Sequence, residues 1–382
     1  MSDYQISKVY PSDKRTNRLV SELLIKEGIR KDGNLDYTCA MFDDDMNVIA
    51  TGSCFGNTLR CMAVDSSHQG EGLMNEIVTH LMEVQFARGN MHLFLYTKCN
   101  SAKFFGDLGF YEIVRVDGQI VFMENRKTGF SGYLEKLKKE TCECKAYTDL
   151  AGVDKRCLTD HAAASTDGSG TSGSGTSCPV ISALVMNANP FTLGHQYLVE
   201  TASASCDLLH LFIVSEDASL VPFSVRKKLV MEGTAHLKNI CYHESGPYII
   251  SSATFPSYFQ KDESAVIESH ARLDLAVFTR ISEALGITCR YVGEEPTSLV
   301  TGMYNEIMAA ELPKAGVQCR IIPRKEADGK PISASTVRQC LKDGDMETLK
   351  TLVPETTLRY FESPEAAPVI ENIRAEANVI HY

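Results

Sequence analysis

Two stretches carry side chains whose types and spacing suit a phosphorylated ligand. In Thr192-Leu193-Gly194-His195 a hydroxyl and an imidazole stand three residues apart, the separation that puts two side chains on one helical face. In Ile332-Ser333-Ala334-Ser335-Thr336-Val337-Arg338, hydroxyls precede a guanidinium, whose fork of donors fits phosphate oxygens. A third stretch, Gln69-Gly70-Glu71-Gly72, offers bare backbone amides at a turn. Transfer at phosphorus asks a protein mainly for positioning and charge neutralisation, and these residue types supply both. Each stretch alone is also ordinary structure, since capped helix starts and glycine turns are common. Their order along the chain, each at a loop-to-helix junction, gives them weight.

The elements around them have readable patterns. Residues 180–186 form a compact apolar run rich in branched side chains, the signature of a strand covered on both faces. The polar loop Asn187-Ala188-Asn189-Pro190-Phe191 follows, with Asn187 and Asn189 as candidate nucleotide contacts. Pro190 ends the ladder, and Thr192 is placed to cap a helix with apolar positions Leu193, Tyr197 and Leu198. The free amides and positive dipole of that helix start favour an anion, and Gly194 removes a side chain that would obstruct it.

Downstream, strands are expected at 208–214 and 290–292, with helices at 225–237 and 299–312. Such alternation predicts an α/β unit of Rossmann-like design, with a parallel sheet and ligands at the strands' carboxyl ends. Gly293-Glu294-Glu295-Pro296 is placed to close over a nucleotide, and an unliganded polar turn explains it equally well. Arg226, Lys227 and Lys228 read as a solvated helix face.

Before this unit, residues 58–64 predict a strand. The turn 65–72 follows, then a helix with Leu73, Ile77, Leu81 and Val84 on one face, and a second strand at 91–97. Asn100 and Leu108-Gly109-Phe110 precede a β-rich end at 111–123.

With 382 residues, 44% of them hydrophobic, the chain can bury two cores. A run of Gly, Ser and Thr at 165–177 reads as a flexible tether. The expected organisation is an α+β domain at 1–130, a linker at 131–178 and the parallel-sheet domain at 179–382. A formal charge of −11 argues against nucleic-acid or anionic membrane partners. The absence of a long apolar run or leader pattern leads to the expectation of a cytoplasmic protein. The 13 cysteines are then expected to be mostly reduced and buried. Cys142, Cys144, Cys157 and His161 match zinc spacings poorly and read as incidental groups in the linker, so no metal ligand is expected among them.

The paired motifs resemble the signatures of the nucleotidylyltransferase superfamily, and the 58–123 pattern resembles a GCN5-related acetyltransferase (GNAT) fold. Residues 187–195, 214–217, 245–259 and 332–338 together resemble the citrate lyase ligase family over nearly the whole chain. That resemblance implies that acetate attacks the α-phosphorus of ATP, giving acetyl-AMP and diphosphate. The acetyl group then passes to the prosthetic-group thiol on the acyl carrier subunit of citrate lyase. Thr192 and His195 would hold the α-phosphate region, and Ser335, Thr336 and Arg338 the β- and γ-phosphates. Gly194, Gly293 and Glu294 would line the nucleotide, and Mg²⁺ would bridge phosphate oxygens. Gln69, Gly70, Gly72 and Asn100 would hold a pantetheine arm. Two departures from the acetyltransferase pattern stand out: Met74 replaces a small residue, and Phe105 stands where a tyrosine acid is usual. A phenyl ring has no proton to give. Two other readings remain, a coenzyme adenylyltransferase fused to an acetyltransferase and a non-enzymatic sensor of CoA and nucleotide.

Overall fold

The computed structural model describes residues 4–150, 179–251, 264–295, 298–327 and 329–379. The tether at 165–177, Cys157, His161, Pro296 and positions 252–259 lie outside the described residues. The chain divides into two compact units, Met1–Phe130 and Ser131–Tyr382.

The first unit contains β1 (Ile6–Lys8), α1 (Lys14–Lys26), β2 (Tyr37–Phe42), β3 (Val48–Phe55) and β4 (Thr58–Val64). It continues with α2 (Leu73–Ala87), β5 (Phe94–Thr97), α3 (Ala102–Asp107), β6 (Tyr111–Val116) and β7 (Ile120–Glu124). The strands make one sheet in the order β1-β2-β3-β4-β5-β7-β6. The predicted strand at 58–64 coincides with β4, whereas the one at 91–97 begins only at Phe94. Strands β4 and β5 run parallel but pair only at Thr58 with Phe94 and Leu59 with Leu95. Beyond those pairs they part, and the glycine turn before α2 follows the free end of β4. Helix α2 turns Leu73, Ile77, Val78 and Leu81 into a core with Ile49, Leu59, Leu95, Phe105 and Phe110. Burying each such side chain is worth roughly 1.5 to 3 kcal/mol, so this face fixes the helix start that faces the turn.

The second unit opens with α4 (Gly129–Glu143, from its third residue) and α5 (Lys145–Leu150). Residues 131–150, read from sequence as the start of a linker, are therefore largely helical and belong to this unit. Then come β8 (Ile181–Met186), α6 (Leu193–Ser203), β9 (Leu208–Ile213), α7 (Phe223–Gly233) and β10 (Ile240–Glu244). They are followed by α8 (Ser264–Leu285), β11 (Cys289–Gly293), α9 (Leu299–Glu311) and β12 (Gln318–Ile322). A small hairpin, β13 (Glu326–Ala327) with β14 (Lys330–Pro331), leads to α10 (Ala334–Asp343), α11 (Met346–Leu352), α12 (Glu355–Glu362) and α13 (Ala367–Ala375).

Strands β8 to β12 form a wholly parallel sheet in the order β10-β9-β8-β11-β12. The chain winds outward from β8 through β9 and β10, then returns to build β11 and β12 on the other side. A reversal of this kind opens a crevice at the carboxyl ends of the two central strands, here β8 and β11. Leu184, Met186, Leu209, Leu211 and Ile213 pack on one face with Val199, Val230, Val337 and Leu341 from the helices.

Candidate active site

The loop leaving β8 is held from beneath by an arginine that the sequence reading left in solvent. Arg226 is wholly buried. Its Nε donates to the Val221 carbonyl at 2.9 Å and its Nη2 to that of Glu216 at 2.8 Å. Its Nη1 reaches the Val214 carbonyl at 2.7 Å, and the Asn187 carbonyl and Oδ1 at 2.9 Å each. The solvated-face reading is thus corrected for Arg226, whereas Lys227 and Lys228 stay partly in solvent; a burial this deep is tolerated because five acceptors surround the cation. Asn187 also donates to Ser219 Oγ at 3.0 Å, so it shapes the loop instead of standing open. Asn189 is different. Its Oδ1 accepts from the Val221 amide at 3.0 Å, while its Nδ2 is buried with no partner among the described residues. An unpaired buried donor costs about 1 to 3 kcal/mol, and here it lies one turn of chain from the phosphate-type motif.

Thr192 caps α6 as the sequence predicts. Its Oγ1 accepts from the His195 amide at 3.2 Å, and the Thr192 amide donates back to His195 Nδ1 at 3.1 Å. That reciprocal pair fixes the imidazole. Because Nδ1 accepts, the ring proton of the neutral form resides on Nε2. The ring also stacks on Phe191 at 5.9 Å. Burial, with help from Arg324 and Arg338, lowers the His195 pKa to about 4. At neutral pH His195 is therefore an uncharged donor through Nε2.

Gly194 has a role that its motif position does not reveal. A Cβ there would lie 3.1 Å from the Ile332 carbonyl oxygen, so the missing side chain lets the second motif rest against the first. Two helix starts, those of α6 and α10, are brought together by this contact. Ser333 caps α10, accepting from the Thr336 amide at 3.1 Å and meeting the exposed Thr336 hydroxyl at 2.8 Å.

Arg338 departs from expectation. Only 2% of it is exposed, and its guanidinium donates to the Val379 carbonyl at 2.6 Å, the Asn189 carbonyl, and Ser335 Oγ at 3.3 Å. Burial draws its pKa down to about 10, which leaves it charged at neutral pH. The direct phosphate contact expected of it gives way to a positioning role: it clamps the Asn189 loop to α10.

A half-buried positive charge at this edge comes instead from Arg324, which sequence reading missed. It follows β12, donates through Nε to the Glu294 carbonyl at 2.8 Å, and pairs with the Glu295 carboxylate. Lys325 lies beside it, its ammonium 5.9 Å from the Tyr197 ring centroid. The available signal was a basic pair just after a β12 too mixed in polarity to read as a strand. Gly293 ends β11, its carbonyl accepting from Asn305 at 2.9 Å, and the Glu294 amide donates to the Ile322 carbonyl at 2.8 Å. The loops after β8, β11 and β12 thus meet around one crevice lined by two helix starts and Arg324.

In the first unit, Gly70 and Gly72 have φ of 93° and 83°. This is the left-handed region, which glycine occupies without strain. The amides of residues 70–72 find no partner among the described residues. Gln69 and Asn100 are exposed beside the parting strands, and Phe105 is buried in the core.

Residues 181–361 match the family model described as the citrate lyase ligase C-terminal domain. A citrate (pro-3S)-lyase ligase of Haemophilus influenzae is 35% identical over 94% of this chain and 98% of its own length. The chain belongs to the citrate lyase ligase family. The Escherichia coli citrate (pro-3S)-lyase ligase is 34% identical, covering 97% of this chain and 96% of that one. An acetyltransferase of the GNAT family from Staphylococcus aureus matches 32% of this chain and 99% of its own at 14% identity, with a TM-score of 0.27. Membership in the citrate lyase ligase family supports the ligase reading over the adenylyltransferase and sensor readings.

Proposed function

We propose that this protein joins acetate to the prosthetic-group thiol of the citrate lyase acyl carrier at the expense of ATP, releasing AMP and diphosphate. ATP would enter as its magnesium complex, and the metal would help neutralise the phosphate charge. The observation that carries this reading is the crevice between β8 and β11. Two capped helix starts converge there beside the unpaired Asn189 Nδ2, the His195 Nε2–H and Arg324.

An acetate oxygen attacks the α-phosphorus and forms the P–O bond of acetyl-AMP as the bond to diphosphate breaks. The nucleophile is already ionised at neutral pH, so no general base is needed. Charge then grows on the departing diphosphate. A neutral imidazole N–H, the α10 amides with Ser335 and Thr336, and the Arg324 guanidinium are suited to receive it. Thr192 positions His195 through the cap, and Arg338 positions the Asn189 loop. In the second half the carrier thiolate attacks the acetyl carbonyl and AMP leaves. The first unit, with Gln69, Gly70, Gly72 and Asn100 at its parting strands, holds the pantetheine arm that bears this thiol. Phe105 gives it no acid for acetyl transfer of its own.

The test is acetate-dependent exchange of diphosphate into ATP, followed by intact-mass analysis of the acyl carrier after incubation with protein, ATP, Mg²⁺ and acetate. A gain of one acetyl group is expected. Exchange that ignores acetate, or a carrier gaining an adenylyl group, would overturn the reading.

A further inference from the structure

The face of the parallel sheet covered by α4 carries a cluster that the reaction does not use. His210 on β9 and Cys241 on β10 are register partners, and His243 stands two residues beyond Cys241, so all three project to one side. They are 0%, 2% and 2% exposed. One ligating atom of each lies within 4.8 Å of the others. His210 Nδ1 and His243 Nε2 are 2.9 Å apart, and His243 Nδ1 meets the Glu140 carboxylate at 2.9 Å. Cys144, at the junction of α4 and α5, donates to the Ile240 carbonyl at 3.5 Å, close enough to Cys241 to raise its thiol pKa.

We infer that His210, Cys241 and His243 bind zinc and that the Cys144 thiol, at the neighbouring α4–α5 junction, closes in as the fourth ligand, making a tetrahedral site that pins α4 and α5 onto β9 and β10. Two imidazoles and two thiols are a donor set that zinc takes, at about 2.0–2.1 Å to nitrogen and about 2.3 Å to sulfur. At those lengths neighbouring nitrogens sit about 3.3 Å apart, so the two rings need open by only a few tenths of an ångström. Glu140 supplies what ligating histidines commonly have, a carboxylate on the other ring nitrogen that leaves Nε2 facing the metal. Burial keeps His210 neutral, as a ligand must be. It also raises the Cys241 thiol, so each thiol that binds gives up its proton to solvent as its sulfur–zinc bond forms, and affinity climbs with pH. Of the other members of the cysteine group read from sequence, Cys142 is exposed, and Cys157 and His161 lie outside the described residues.

The test uses the full chain, reduced and stripped with chelator. Cobalt(II), the spectroscopic stand-in for zinc, is added and then displaced by zinc. One equivalent should give tetrahedral d–d bands and thiolate-to-cobalt charge transfer, and zinc should abolish both. Cys241→Ser, which leaves one thiolate of two, should cut the charge transfer by about half and weaken the cobalt affinity. Glu140→Gln, at a half-buried position that tolerates change, should weaken zinc about 10- to 100-fold. Zinc should also slow amide exchange across residues 131–143 in the wild type alone. Absence of tetrahedral cobalt bands in the wild type, or bands and affinity untouched by both variants, would overturn the assignment.

Discussion

Replacing Arg338 with alanine separates two roles that the motif alone confounds. If the guanidinium were a phosphate ligand held out to solvent, its loss would cost activity and leave stability unchanged. The structure has it wholly inside, donating to two carbonyls and a hydroxyl. Hydrogen bonds from a charged donor are worth about 1.5 to 3 kcal/mol each, and orphaned carbonyls cost about 1 to 3 kcal/mol each. These terms are not additive, and removing a buried charge recovers some desolvation, so a net loss of about 3 to 5 kcal/mol is expected. For a unit of this size each kcal/mol moves Tm by about 2 to 4 °C, a fall of roughly 6 to 20 °C. Calorimetry of the protein without nucleotide, following the transition of the second unit, measures it. Arg338→Lys, which keeps the charge but lacks the fork, should recover only part of the loss. An Arg338→Ala protein melting within about 2 °C of wild type, yet inactive in diphosphate exchange, would refute the clamp.

Other outcomes follow from the same geometry. His195→Ala should slow acetate-dependent diphosphate exchange by a factor of tens to hundreds, about 2 to 4 kcal/mol of transition-state contact; near-normal exchange would remove it from the site. The native imidazole has a pKa of about 4 against 6.5 unfolded, so the unfolded chain binds the proton first as pH falls. Stability should therefore decline between pH 6.5 and 4, by at most about 3 kcal/mol from this group, and urea melts of His195→Gln should show a shallower decline. Arg324→Ala should lower kcat for diphosphate exchange more than it raises the KM for ATP in steady-state assays, and an unchanged kcat would leave Arg324 outside the site. Gly72→Trp should spare diphosphate exchange while slowing acetyl transfer to the carrier thiol; transfer at the normal rate would end the case for a pantetheine cradle.

Much of the scaffold was legible because it is written in local pattern. The branched run at 180–186 and the helical spacing beginning at Leu73 follow from burial on one or two faces, and Thr192 declared itself as a cap by type and position. What escaped notice depends on contacts distant in sequence. Nothing near Arg226 announces that five acceptors from the β8 and β9 loops will enclose it. Arg338 lies in a motif that points to phosphate, yet its partners are Asn189 and Val379, over a hundred and about forty residues away. Strands β10 and β12 were missed because His243, Glu244, Gln318 and Arg320 interrupt the apolar run that betrays a buried strand. Helix α4, crowded with Lys and Glu, has the composition of a linker, and only its buried side, with Tyr133, Leu137 and Thr141, says otherwise.

The position of α4 and of Val379 has a consequence for how this chain can be cut. The stretch matched by the model of the family's C-terminal domain, residues 181–361, is shorter than the compact unit that contains it. A fragment with those ends would strip the cover from His210, Cys241 and His243, and would lose the Tyr133 hydroxyl that donates to the Glu244 carbonyl at 2.9 Å. At the other end it would take away the carbonyl of Val379 and leave the Arg338 clamp half open. The stretch matched by the family model and the compact unit that contains it are thus offset, the unit beginning at Ser131, upstream of the tether.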